Sequence, residues 1–241
     1  MCCGFATWSA DCRCLALPPA GSERLTEEFT RELLPGWPDE WLHFERERWD
    51  QMRLHALEGL EQRLLTAQQF QRASALVCAT EVLRREDEEI WGRRPFRIGL
   101  WVGAGVSPNW YGDAAQQIAE ANESASGRHA NVLQVLSCPW CGEELRAWRD
   151  VAPDDVRRRV IVYCPRGEDA EPCPFSRMRA RGEGLPILTV DEEIYRLVPS
   201  LLIATVDKLA QLPWRGYAGM LFGRVSAYCE RHGYRHDDLD E

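Results

Sequence analysis

Four cysteines in the middle of the chain limit what it can fold into more than any other feature. Cys138-Pro139-Trp140-Cys141-Gly142 is a C-x2-C turn followed by glycine. At that spacing two thiolates from one tight turn reach the same ion, while the glycine lets the backbone fold back. A tetrahedron needs two further ligands. Cys164 and Cys173 supply them within "VYCPRGEDAEPCPF", with eight residues between them rather than two. A four-cysteine Zn2+ site leaves no open position for water, so its role is structural: it holds a segment, here residues 132–176, in its fold. The alternative is four buried free thiols.

The remaining composition sets the context for that reading. No apolar run approaches the roughly 18 to 20 residues that span a bilayer, and the Cys-rich start lacks a basic leader region. The chain is therefore expected to be cytoplasmic and to have no membrane partner. In a reducing compartment its ten cysteines are metal ligands or free thiols rather than disulfides. Cys2, Cys3, Cys12 and Cys14 crowd the first fourteen residues, whereas Cys78 and Cys229 stand alone. His232 and His236 near the acidic end are metal-binding types, although a solvated charged tail is the commoner explanation. The net charge of −9 argues against coating nucleic acid by bulk charge but leaves room for a local basic groove.

Residues 1–24 read as a disordered Cys-rich tail ending in Pro and Gly turns. From Leu25 to Glu89 the pattern is helical. Trp41, Phe44, Trp49, Met52, Leu57, Leu60 and Leu64 recur at spacings of three to five, and Asp39 is placed to cap. Phe70, Ala73, Leu76, Val77, Thr80 and Leu83 continue on one face, with a break between helices expected near Thr66. Beyond residue 91 come β-prone runs at 96–103, 132–138, 159–164, 185–190 and 200–206, with a helix-like "GDAAQQIAEAN" between the first two. This texture predicts an α/β fold with an inserted β-rich zinc module, preceded by an all-helical segment. Gly103 and Gly105 in "WVGAGVSPN" weakly echo a dinucleotide fingerprint that lacks its third glycine. "LTVDEEIY" invites an acidic ATPase-motif reading, but Asp191 and Glu192 fit better as a helix N-cap and first-turn acid.

The strings "RLLTAQQFQRASALVCATEVLRRE", "WGRRPFRIGLWVGAGVSPN", "LQVLSCPWCG", "LPILTVDEEIYRLVPSLLIATVDKLAQL" and "LFGRVSAYCERHGY" together resemble the first RecA-like domain of the DrmA-like DISARM phage-defence helicases of superfamily 2. The resemblance covers about three quarters of the chain. It implies a partial RecA-like helicase region at 66–241 whose inserted zinc module is the four-cysteine segment. It further implies that Thr66, Gln68 and Gln69 lie in one segment contacting the DNA backbone, and Thr205, Asp207 and Lys208 in a second. DNA and other phage-defence subunits would then be the partners. In that family the acidic motif follows the "LTVDEEIY" string, which puts it just past residue 241.

Upstream, "ELLPGWPDEWLHFERERWDQMRLHALEGLEQRLL" resembles the helical, tetratricopeptide-like bacterial transcriptional activator domain of SARP-type regulators, over residues 32–65. The two resemblances suggest a composite or truncated gene product with a helical segment at 25–65. A P-loop needs G-x-x-x-x-G-K-[ST], and the only lysine, Lys208, follows Asp207. Hence the expected function is a helicase-related, DNA-interacting protein with structural zinc that is not an autonomous ATPase. ATP and Mg2+ would enter only if another chain supplied the missing motifs. The alternatives are a protein-interaction or transcription-regulatory module using the N-terminal helices, or a non-functional remnant.

Overall fold

The computed structural model describes residues 41–103, 105–124, 131–167, 171–180, 182–210 and 212–240, with the backbone alone at 41–45, 53–65, 124 and 240. Cys2, Cys3, Cys12, Cys14, the tail expected at 1–24, the Asp39 cap and the helical stretch expected at 25–40 lie outside the described residues. So do the side chains of Trp41, Phe44, Leu57, Leu60 and Leu64. The chain divides after Leu65 into two units. Helix α1 (Trp41–Glu86) runs through that division, so the expected break near Thr66 is absent. Leu64 to Arg72 contains only residues that extend a helix at little cost, with no glycine or proline to stop it.

Within the second unit, α1 buries Phe70, Ser74, Val77, Cys78, Glu81 and Arg84, a face spaced by three and four. Leu76 and Leu83, expected on that face, are exposed. Their places are taken by a carboxylate and a guanidinium that satisfy each other. Arg84 donates to both oxygens of Glu81 at 2.8 Å, Arg85 donates at 2.9 Å, and the Phe96 amide at 3.0 Å. Burial pushes the Glu81 carboxyl up, and these donors outweigh it and hold the group below its ordinary value. After α1, the Asp87 side chain caps α2 (Glu88–Trp91) by accepting from the Ile90 amide.

Strand β1 (Ile98–Trp101) is buried throughout. It is the centre of a three-stranded parallel sheet ordered β4-β1-β5, with β4 at Ile187–Leu188 and β5 at Leu201–Ala204. Gly99 is small by necessity, because a Cβ there would meet Leu202 at 2.9 Å and Pro199 at 3.0 Å. Helix α3 (Tyr111–Ser124) buries Tyr111, Ala114, Ile118 and Ala121, again one face at helical spacing. A short α4 (Ala147–Asp150) leads into the antiparallel pair β2 (Val151–Asp154) and β3 (Arg159–Val162). Proline at 153 hides β2 from a sequence reading, but a two-stranded ladder tolerates it. The run at 132–138 is not a strand; its ladder contact is a single bridge between Ser137 and Glu144. Gly103 and Gly105 do not take the left-handed conformation of a phosphate-cradling loop, and the Gly103 carbonyl accepts from the Val106 amide in an ordinary turn.

Helix α5 (Asp191–Leu197) follows β4 at the carboxyl end of the sheet. Its N-cap is Val190, not Asp191, and Asp191, Glu192 and Glu193 fill its first turn with each 1% exposed. Lys208 on α6 (Val206–Ala210) pairs with Asp191 and lies 3.3 Å from Asn109 Oδ1. Glu192 accepts from Arg158 and Arg196 and from the Tyr111 amide, which occupies both its oxygens. Glu193 accepts from the Val160 amide at 2.6 Å. Two short 3-10 segments, the hairpin β6 (Ala227–Cys229) and β7 (Gly233–Arg235), and α7 (Asp237–Asp240) complete the unit. Among the described residues, no helix is long and apolar enough to cross a membrane.

Candidate metal centre

The first pair of cysteines is presented by a closed turn. The Cys138 amide donates to the Glu143 carbonyl at 2.7 Å and the Gly142 amide to the Cys138 carbonyl at 2.9 Å. Gly142 sits at φ +80°, a conformation that other residues adopt only with strain. The Cys138 sulphur accepts from the amides of Trp140 and Cys141. The second pair comes from two places that the backbone ties together. Cys164 follows β3, and its amide donates to Phe175 at 3.0 Å, while the Cys173 amide donates to Arg166 at 2.8 Å. These bonds fold the eight-residue spacer back on itself, so its length is no obstacle.

All four sulphurs lie within 4.8 Å of one another, with Cys138 and Cys173 at 3.9 Å and Cys141 and Cys164 at 3.4 Å. Tetrahedral bonds of about 2.3 Å to a common ion put sulphurs roughly 3.8 Å apart. Cys138, Cys164 and Cys173 are buried and Cys141 is half-buried. Bonds from Cys164 and Cys173 draw the Cys138 thiol down, and bonding to Cys138 pushes Cys164 and Cys173 up. Coordination of a divalent cation requires the thiols to be deprotonated. The four side chains can hold a metal ion. Among the described residues no other group of three or more donors gathers in this way, and His232 and His236 belong to no such group.

Helix α1 backs the cluster with a stripe at i, i+7 and i+14, a spacing that returns to nearly the same face. Gln71 donates to the Ser137 carbonyl at 3.1 Å. Cys78, fully buried, has its thiol pushed up by burial and then by the charges of Cys138 and Cys173. Arg85 donates to the Pro174 carbonyl at 3.2 Å and covers the Phe175 ring at 5.0 Å. Trp140 meets the same ring edge-on at 6.2 Å. Sequence reasoning missed Gln71 and Arg85, because a hydrophobic period does not register glutamine and arginine, and it left Cys78 standing alone. The recurrence of 71, 78 and 85 at sevens was the available signal.

The residues expected to contact DNA fall on two elements. Thr66, Gln68 and Gln69 lie inside α1, with both glutamines exposed. Helix α1 is continuous there. Thr205 precedes α6 and its carbonyl accepts from the Lys208 and Leu209 amides, while Asp207 is exposed. Lys208, placed by the resemblance in a DNA-contacting segment, is buried, at 3% exposure. Pairing with Asp191 draws its ammonium inward beneath Trp101, whose ring centre is 5.8 Å away.

The fold and site define a mixed helix-and-sheet unit with a parallel sheet and a four-cysteine cluster able to hold a metal. No family model matches the chain. Over 177 residues, 71% of its length, it is 33% identical to the DISARM protein DrmA of Bacillus paralicheniformis, a DrmA-like relationship. The chain spans 15% of that protein's length.

Proposed function

We propose that the chain is a zinc-stabilised piece of a RecA-like helicase region serving DISARM-type phage defence, and that it engages DNA without hydrolysing nucleotide by itself. The observation that carries this reading is the convergence of Cys138, Cys141, Cys164 and Cys173 to within 4.8 Å, in a chain similar to DrmA. Zn2+ is the ion of choice for four thiolates in tetrahedral array, and it would hold the hairpin, the knuckle and α1 as one body. Gln68 and Gln69 would donate to phosphate oxygens, with Thr66 beside them and Thr205 in the second contacting segment. Lys208, held on Asp191, would position the segment containing Thr205 and Asp207 rather than touch phosphate. ATP and Mg2+ belong to the function only where another chain contributes a P-loop, and other defence subunits are the natural source. The interaction-module alternative rests on residues 37–65, most of whose side chains lie outside the described residues.

The test is fluorescence anisotropy with single- and double-stranded oligonucleotides across a salt series. The reading expects binding that weakens as salt rises and falls severalfold in Gln68→Ala, Gln69→Ala with the zinc content unchanged. Absence of binding at low salt by the zinc-loaded chain would refute the DNA assignment.

A further inference from the structure

A second turn of the same build lies outside the four-cysteine cluster. Strands β6 and β7 pair with Cys229 opposite Gly233, and the turn reads Cys229-Glu230-Arg231-His232-Gly233 against Cys138-Pro139-Trp140-Cys141-Gly142. In both, the glycine after the second donor is left-handed, at φ +80° for Gly142 and +86° for Gly233. In both, the first sulphur accepts from the amides two and three residues further on: Trp140 and Cys141 in one, Arg231 and His232 in the other. His232 Nδ1 lies 3.7 Å from Cys229 Sγ. A tetrahedral ion bonded to sulphur at about 2.3 Å and nitrogen at about 2.0 Å would set those donors roughly 3.5 Å apart. The turn is also fixed in place, because a Cβ on Gly233 would meet the Arg196 carbonyl oxygen at 2.3 Å.

We propose that Cys229 and His232 form a zinc half-site, completed by the same pair from a second copy of this chain. Both residues are partly exposed, and among the described residues no third donor joins them. Two coordination positions therefore remain open to ligands from outside. A two-fold axis through the ion supplies one more thiolate and one more imidazole, giving a Cys2His2 tetrahedron from a self-complementary contact. Phe222, Val225 and Tyr228 are exposed on and just before the hairpin, apolar surface that a second copy would cover.

The test is sedimentation velocity with elemental analysis on the reduced full chain, with and without added zinc, beside Cys229→Ser and His232→Ala. Wild type should be a zinc-dependent dimer holding about 1.5 ions per chain, one in the four-cysteine site and half of a shared one. Both variants should stay monomeric at about one ion per chain. Identical zinc content and sedimentation in all three chains would overturn the half-site. A wild-type monomer with two ions per chain would overturn completion by a second copy. Loss of the first ion would instead count against the four-cysteine site and is read separately.

Discussion

The four-cysteine cluster and the first turn of α5 are both places where ionisable groups are buried close together, and they are stabilised in opposite ways. At α5 the compensation is internal: Lys208 meets Asp191, Arg158 and Arg196 meet Glu192, and the Val160 amide meets Glu193. At the cysteines the surroundings are other thiols, the Trp140–Phe175 aromatic pair and Cys78, whose thiol burial pushes up. Full deprotonation there needs a cation from outside. One region therefore depends on the sequence for its charge balance and the other on a ligand.

The largest effect separating the two should come from metal removal. Chelation, or Cys138→Ser with Cys141→Ser, should abolish the cooperative unfolding of residues 132–176, since structural zinc sites contribute on the order of 10 kcal/mol to folding. Near-UV circular dichroism of the Trp140 and Phe175 region reads this loss, and α5 should be insensitive to the chelator until the unit as a whole opens. Next in size is Lys208→Met, which leaves Asp191 buried without its partner and should cost about 3–5 kcal/mol. Adding Asp191→Leu should recover much of that cost, as seen in denaturant melts.

Glu193 offers a subtler distinction. Burial pushes its carboxyl up from 4.5 to about 8, so the folded state holds a proton that the unfolded chain has released. Stability is full below the ordinary value and falls as pH rises through that window. Glu193→Gln should flatten the stability profile between those limits and leave zinc content unchanged. The smallest effect is expected for Gln71→Ala, which removes one bond from α1 to the knuckle and should cost about 1 kcal/mol. A loss several times larger would mean that the helix, and not the metal, organises the cysteines.

The cysteine turn was legible because C-x2-C-G is a local pattern with one geometric solution, and Gly142 at φ +80° is that solution. Strands β1, β3, β4 and β5 were legible as short apolar runs. The acids of α5 were not. Nothing local says that "DEE" is buried, because the groups that bond Asp191, Glu192 and Glu193 come from residues 158, 160, 196 and 208. Cys78 looked solitary for the same reason, as its neighbours Cys138 and Cys173 are about sixty or more residues away in sequence. Leu76 and Leu83 were misplaced because a buried Glu81–Arg84 pair mimics an apolar face in space and not in hydropathy.

The measurement that bears most directly on the account is X-ray absorption at the zinc edge on the reduced Cys229→Ser chain, in which only the four-cysteine site should be filled. The account predicts one ion per chain with a shell of four sulphurs at about 2.3 Å. A shell dominated by nitrogen or oxygen, or a folded chain with no metal, would contradict it.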